Sequence, residues 1–254
     1  MANSAQSNGV MLVTGANRGI GRAIAEAGTK IGYTVAVHYA QHRDEAESLV
    51  QSLRSMGGKA ISIQADMAVE SDILRLFKEI DEQLGTITAL VNNAGSIVEV
   101  KPIAEISAAT VERTLRVNLA GPILCCREAL KRMSTARGGK GGAIVNISSM
   151  AAVLGGLPNE VHYAASKGGV DSLTIGLARE VATEGVRINA VRPGVIDTPI
   201  HDWHGGNAFL EKFAPQLPMK RAGTPQEIAE AVIWLLSPAA SYVTGSILNV
   251  SGGR

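Results

Sequence analysis

At 254 residues the chain is long enough for one large α/β domain or two small ones, with a core in either case. Its 46% hydrophobic and 19% charged residues exclude a disordered chain, and a formal net charge of +1 with scattered basic residues gives no electrostatic basis for binding nucleic acid or an anionic membrane. No apolar run is long enough to cross a bilayer and residues 1–9 are polar, so neither a span nor a secretory signal is expected, and the expected address is cytoplasmic.

Residues 10–14, Val-Met-Leu-Val-Thr, read as a short apolar strand. It runs into Gly15, Asn17, Arg18, Gly19, Ile20 and Gly21 and then a helical stretch, and this order of strand, glycine turn and helix offers free N–H groups and a positive helix end to a phosphate. A second strand over 34–39 ends in His38 and Tyr39, and a helix over 43–56 opens on Arg43. A third strand over 60–65 is closed by Asp66 and Met67. After a helix over 70–84, a fourth strand over 88–91 ends in Asn92, Asn93, Ala94 and Gly95. Alternation at this spacing predicts a parallel sheet with helices on both faces, and no break in composition marks a second domain.

One long helix is expected over 103–133, with Asn118 amid apolar neighbours that oblige it to find partners if buried. Cys125 and Cys126 are adjacent in this stretch; a disulfide between them would be strained, and they are read as buried thiols. A glycine-rich loop over 137–142 leads to a fifth strand, 143–147, which runs into Ser148 and Ser149. The next helix, to about residue 184, begins with Tyr163-Ala-Ala-Ser-Lys167, and positions four apart lie one turn above each other. A lysine ammonium there favours the phenolate, so the pair can exchange protons where an isolated tyrosine, titrating near ~10, could not. A sixth strand over 187–191 runs into Pro193 and Gly194. Residues 198–218 are irregular, rich in proline and aromatics, and suited to a lid. His201 and His204 lack the further ligands a metal site needs, so no metal is expected. Thr224-Pro225 caps a last helix, to about residue 237, and a strand over 246–250 ends the pattern.

Every flagged stretch follows a strand, and ligands of open parallel sheets bind beyond the carboxyl ends of the strands. Together, Thr14-Gly-x-x-x-Gly-Ile-Gly21, Asn92-Asn-Ala-Gly95, Asn118, Ser149, Tyr163-x-x-x-Lys167 and Pro193-Gly194 resemble the short-chain dehydrogenases/reductases over roughly residues 9–252. The resemblance implies a single-domain, Rossmann-like doubly wound parallel sheet of about seven strands over 10–254, preceded by a loosely ordered start. It implies hydride transfer between a nicotinamide cofactor and a carbonyl or secondary alcohol. Tyr163 would be the acid or base; Lys167 would favour its phenolate and hold the cofactor ribose. Ser149 would bond the substrate oxygen, with Ser148 as an understudy, because Ser149 and Tyr163 are one residue further apart than in many relatives. Asn118 would hold a water leading to Lys167. Asp66 would contact adenine, and Ile196 and Thr198 the carboxamide.

Tyr39 stands where an NAD enzyme would carry an acid, with His38, Arg43 and Arg18 near it, so NADP is favoured and NAD is possible. A sugar or polyol and a 3-oxoacyl thioester both suit this scaffold. A nucleotide-binding regulator without turnover is the alternative; the intact set of four polar residues argues against it, and a scaffold subunit would need interaction tracts that are not seen. The resemblance also implies a homotetramer, with a dimer next.

Overall fold

The computed structural model describes residues 8–200 and 205–254. Among these, seven strands form one parallel sheet: β1 (Val10–Val13), β2 (Thr34–Tyr39), β3 (Ala60–Gln64), β4 (Ile87–Asn92), β5 (Gly142–Ile147), β6 (Val186–Pro193) and β7 (Ile247–Val250). Their order is β3-β2-β1-β4-β5-β6-β7, and every neighbouring pair is parallel. The chain winds outward from β1 in one direction, then restarts at β4 in the other. A crevice therefore opens beyond the ends of β1 and β4, where the flanking loops diverge.

Both faces of the sheet are covered, so the strands are apolar throughout and each splits its side chains between two cores. Met11, Val13, Val35, Val37, Ala89 and Val91 pack with α1 (Gly19–Lys30), α2 (Arg43–Ser55) and α9 (Pro225–Leu236), through Ile24, Leu49, Leu53, Val232 and Leu235. Val10, Leu12, Ala36 and Leu90 turn the other way, to α3 (Glu70–Gln83), α5 (Gly121–Met133) and α7 (Val161–Glu180), through Leu76, Phe77, Ile80, Ala129 and Ala178. Cys125 and Cys126 belong to this second core as free thiols, and burial pushes the Cys126 thiol up to about 12.

The expected helix over 103–133 is divided. A tight turn at Ile103–Glu105 precedes α4 (Ala108–Leu115), and a widened π turn at Arg116–Ala120 separates α4 from α5. Pro122 is the physical reason, since it has no N–H for the Asn118 carbonyl four residues back and its ring crowds that carbonyl. Nor is 198–218 irregular throughout. Asn207–Phe213 forms α8, followed by a tight turn at Ala214–Gln216, with Phe209 stacked on Phe213 at 5.1 Å between ring centres. His201, Trp203 and His204 lie outside the described residues, as do 1–7 of the expected loose start. Asn8 and Gly9 are bonded to Gly32 and Thr34, between α1 and β2. The expected cap at Thr224 forms as a reciprocal box, with Thr224 accepting from the Glu227 N–H and Glu227 accepting from the Thr224 N–H.

Candidate active site

Beyond the strand ends lies a cavity of about 590 Å³, lined from Gly15 at the end of β1 across to Thr198 after β6. The glycine turn forms its floor. Gly15 and Gly19 take φ of 62° and 56°, which side chains on L residues resist. Arg18 precedes α1 in an extended conformation and no side chain caps the helix, so its first N–H groups are left for another acceptor. Asn17, Arg18, Gly19 and Ile20 all line the cavity there.

Second-strand residues brace this turn instead of facing a ligand with charge. His38 is fully buried; the Gly15 N–H donates to its Nδ1 at 2.9 Å, and its Nε2 lies 3.0 Å from the Ala65 carbonyl. Burial holds its pKa down at about 4, so the ring is neutral at neutral pH and adds no positive charge to the pocket it borders. Tyr39 corrects the expectation more strongly. Val35, Val37 and Tyr39 share one side of β2, which commits Tyr39 to the first core, and it does not line the cavity. Arg43 ion-pairs with Glu47 one helical turn on and does not line the cavity. Their places are taken by Ala40, Gln41 and His42, which follow the end of β2 and line the cavity.

Asp66 and Met67 line the cavity after β3, with the Asp66 carboxylate paired to Arg113 at 2.8 Å. Arg113, from α4, is a lining residue that sequence reasoning missed, because α4 is remote in the chain. After β4, Ala94 and Gly95 line the cavity and Asn92 does not. Asn92 is buried and donates to Asn146 Oδ1 at 2.9 Å, tying β4 to β5. Asn93 holds the glycine turn instead, donating to the carbonyls of Thr14 and Gly15 at 2.9 Å each.

Asn118 sits in the π turn, fully buried and outside the cavity lining. Its amide donates to the Ser96 carbonyl at 2.8 Å and to Ser166 Oγ at 3.1 Å, and its Oδ1 accepts the Ser96 N–H at 2.8 Å. Both amide donors are spent on fixing the loop after β4 to α7. Any water at Asn118 would therefore bond a carbonyl oxygen, not the amide nitrogen.

Ser149, Tyr163 and Lys167 meet at one wall of the cavity. The Ser149 hydroxyl shares a hydrogen bond with the Tyr163 phenol, and Ser149 Oγ also accepts the Ala151 N–H at 3.1 Å. Ser148 is buried and donates to the Lys167 carbonyl at 3.2 Å, which leaves Ser149 as the serine paired with the tyrosine. The longer stretch between Ser149 and Tyr163 forms a short helix, α6 (Ala151–Leu154), and then turns at Gly155 and Gly156, with φ of 82° and 89°. Lys167 Nζ donates to the Ile147 carbonyl at 2.7 Å and lies 5.8 Å from the Tyr163 ring centre. Gly95 gives it room, since a Cβ there would come within 3.4 Å of Nζ and 3.5 Å of Asn118 Oδ1.

Charge states depart from the expectation built on the helix spacing. Burial pushes the Tyr163 phenol up to about 12, with the Ser149 hydrogen bond opposing and Glu160 adding to the rise. Burial pulls the Lys167 ammonium down to about 8, against the field of Asp171 one turn on. Desolvation outweighs any help the lysine gives the phenolate, so at neutral pH this wall presents a neutral phenol and an ammonium. Pro193, Gly194, Ile196 and Thr198 complete the lining after β6. Uncapped helix, glycine cradle and flanking pockets together suit an elongated dinucleotide with a phosphate bridge.

Comparison with known proteins agrees with this geometry. The family model described as enoyl-(acyl carrier protein) reductase matches residues 15–254. An uncharacterized oxidoreductase of Escherichia coli, YgfF, is 45% identical over 96% of this chain and 99% of its own. The Staphylococcus aureus 3-oxoacyl-acyl-carrier-protein reductase FabG is 37% identical over 95% of this chain and 96% of its own. Among solved structures, a blue fluorescent protein from a metagenomic library, in complex with NADPH, superposes with a TM-score of 0.88 at 35% identity, covering 97% of this chain and 98% of that one.

Proposed function

The chain belongs to the short-chain dehydrogenase/reductase family, as an NAD(P)-dependent oxidoreductase acting on C=O and CH–OH groups, and from that premise we propose that it is an NADP-dependent carbonyl reductase in which Tyr163 is the general acid. The observation that carries this reading is the contact of Ser149 with a Tyr163 phenol held protonated in the cavity wall. When bound, the nicotinamide supplies the hydride. Tyr163 gives its proton to the substrate oxygen, Ser149 donates a hydrogen bond to the same oxygen, and Lys167 holds the cofactor ribose beside them. Lys167 passes a proton back to the spent Tyr163, and Asn118 fixes the loop after β4 and, through an oxygen, a water from which Lys167 is reprotonated. The relative named for 3-oxoacyl reduction supports an acyl thioester as substrate class, and a sugar or polyol fits the same chemistry.

NADP is preferred because Arg18 lines the cavity and no carboxylate stands among Ala40, Gln41 and His42. The neighbour solved with NADPH supports this choice. Fluorescence titration is expected to show NADPH binding about tenfold or more tighter than NADH, roughly 1.4 kcal/mol, with Arg18→Gln removing most of the difference. Tighter binding of NADH would overturn the preference.

The Lys167 shift predicts a pH limb. Its folded pKa, about 8, lies below its ordinary value of 10.5, so the ammonium is lost from the folded enzyme as pH rises through about 8 while Tyr163 stays protonated. We expect kcat/KM for reduction to fall above that pH, and the limb to vanish in Lys167→Arg. Unfolding is not the cause, because between the two pKa values the unfolded chain binds the extra proton and this group's destabilising contribution fades as pH rises. A limb unmoved in the arginine variant would assign the titration elsewhere.

A homotetramer completes the proposal. Leu115, Ile123, Val161 and Ile175 are exposed on or beside α4, α5 and α7, and Trp234, Tyr242 and Leu248 on or beside α9 and edge strand β7, giving two separate apolar faces. Light scattering at micromolar concentration is expected to give about four times the 26.5 kDa chain mass. A monomer mass would refute it.

A further inference from the structure

Six arginines among the described residues are half-buried: Arg22, Arg127, Arg132, Arg187, Arg192 and Arg254. The first five have partners for their guanidinium groups. Arg22, Arg127, Arg132 and Arg192 ion-pair with carboxylates, and Arg187 donates to the backbone carbonyls of Leu235, Leu236 and Ser237. Arg254 differs from them. Its guanidinium carbon lies 5.1 Å over the Phe213 ring of α8, no carboxylate or carbonyl among the described residues accepts its side-chain N–H groups, and it lines the cavity that holds Ser149 and Tyr163. Stacking on an aromatic face orients the planar fork without using its in-plane donors. A partly desolvated guanidinium with unused donors is costly unless something accepts from them.

We propose that Arg254 recognises a carboxylate on the substrate, so that the enzyme acts on an oxo acid or the matching hydroxy acid. This rests on the reading of Tyr163 and Ser149 as the site of carbonyl reduction. Carboxylate geometry matches the guanidinium fork, which can be bonded by two parallel contacts. Glu160 lines the same end of the cavity, buried, with its Oε2 accepting the Leu157 N–H at 3.1 Å, and its field reaches Arg254. Met150, Leu154 and Leu157 line the cavity near this end and suit the short apolar stretch of such an acid. The substrate would thus be gripped at both ends, its carbonyl by Ser149 and Tyr163 and its carboxylate by Arg254.

The test is a matched panel: 2-, 3-, 4- and 5-oxo acids of four to seven carbons, each beside its methyl ester, with the neutral acetoacetyl thioester of N-acetylcysteamine. Turnover with NADPH and calorimetric binding of the same acids to the NADP-loaded enzyme are measured for wild type, Arg254→Gln and Arg254→Lys. At least one acid is expected to exceed its ester more than tenfold in kcat/KM, through KM. Arg254→Gln should bring that ratio to within about threefold of unity and abolish binding of the acid, with Arg254→Lys in between. Esters or the thioester reduced as well as every acid, or acid and ester falling together in Arg254→Gln, would overturn the inference while leaving Tyr163 chemistry intact. No NADPH binding and no turnover of any carbonyl would overturn that chemistry, and the inference with it.

Discussion

Tyr163→Phe is expected to lower kcat for carbonyl reduction by about 10²- to 10⁴-fold while NADPH affinity changes by less than about threefold. Removing one oxygen leaves the ring, and the ring is what packs, since Tyr163 is only 8% exposed and Lys167 Nζ lies above it. What disappears is the proton. A phenol pushed up to about 12 stays protonated across the working range, so under the proposed reading wild-type turnover would draw on an acid that always carries its proton. Ser149→Ala should cost on the order of 10²-fold, and the double variant little more than Tyr163→Phe alone, because the two act on one oxygen and their effects are not additive. Stopped-flow absorbance of NADPH gives turnover, and its fluorescence gives binding. Retained turnover in Tyr163→Phe would remove the tyrosine from the chemistry. Tight NADPH binding by a wild type that turns over no carbonyl would favour a regulator built on the same fold.

Gly21→Ala carries the second large effect, this time on the cofactor. A Cβ at Gly21 would sit 2.3 Å from the Gly15 carbonyl oxygen, 2.5 Å from Asn93 Nδ2 and 2.9 Å from the Ala16 Cα. Backbone atoms cannot swing aside as a side-chain tip does, and this backbone is pinned. The Gly15 N–H is held by His38 and its carbonyl by Asn93. The turn must therefore deform, moving the N–H groups at the start of α1 that would face the phosphates. NADPH affinity is expected to fall more than about 30-fold, with a loss of roughly 1–3 kcal/mol in stability from the overpacked turn. Gly176→Ala in α7 is the control, because its Cβ would meet nothing within 4 Å and helix propensity favours alanine by up to about 1 kcal/mol. Thermal denaturation with and without NADPH separates the two losses. Binding in Gly21→Ala within about threefold of wild type would mean that the turn does not cradle the cofactor.

Much of this site was legible in the chain. Each strand announced itself by an apolar run, and each run ended in residues that the parallel sheet then gathered beyond its carboxyl edge, from Gly15 to Gly194. Errors arose where the direction of one side chain mattered. Tyr39 was placed by its position at a strand end, but a strand alternates, and its neighbours Val35 and Val37 commit Tyr39 to the core, while His38 on the other side borders the cavity. Asn92 and Asn93 divide in the same way, one tying two strands together and the other holding the glycine turn. Pro122 was in plain view inside the expected long helix, and only the missing N–H of that proline explains why the helix widens at Asn118.

By itself, then, the sequence determined what local physics writes into it: the alternation of strand and helix, the glycines whose positive φ shapes the first turn, and the one-turn spacing that sets Tyr163 and Lys167 on a shared face. Tertiary structure decided whatever depends on partners distant in the chain. Burial overrode the lysine and set the Tyr163 phenol near 12 and the Lys167 ammonium near 8, because desolvation is a property of the assembled core and not of a pentapeptide. Arg113 reached Asp66, and Arg254 came to line the cavity that holds Ser149. No periodicity encodes those meetings, since they follow from how β3, β5 and β7 lie in one sheet and which loops that sheet brings together at its edge.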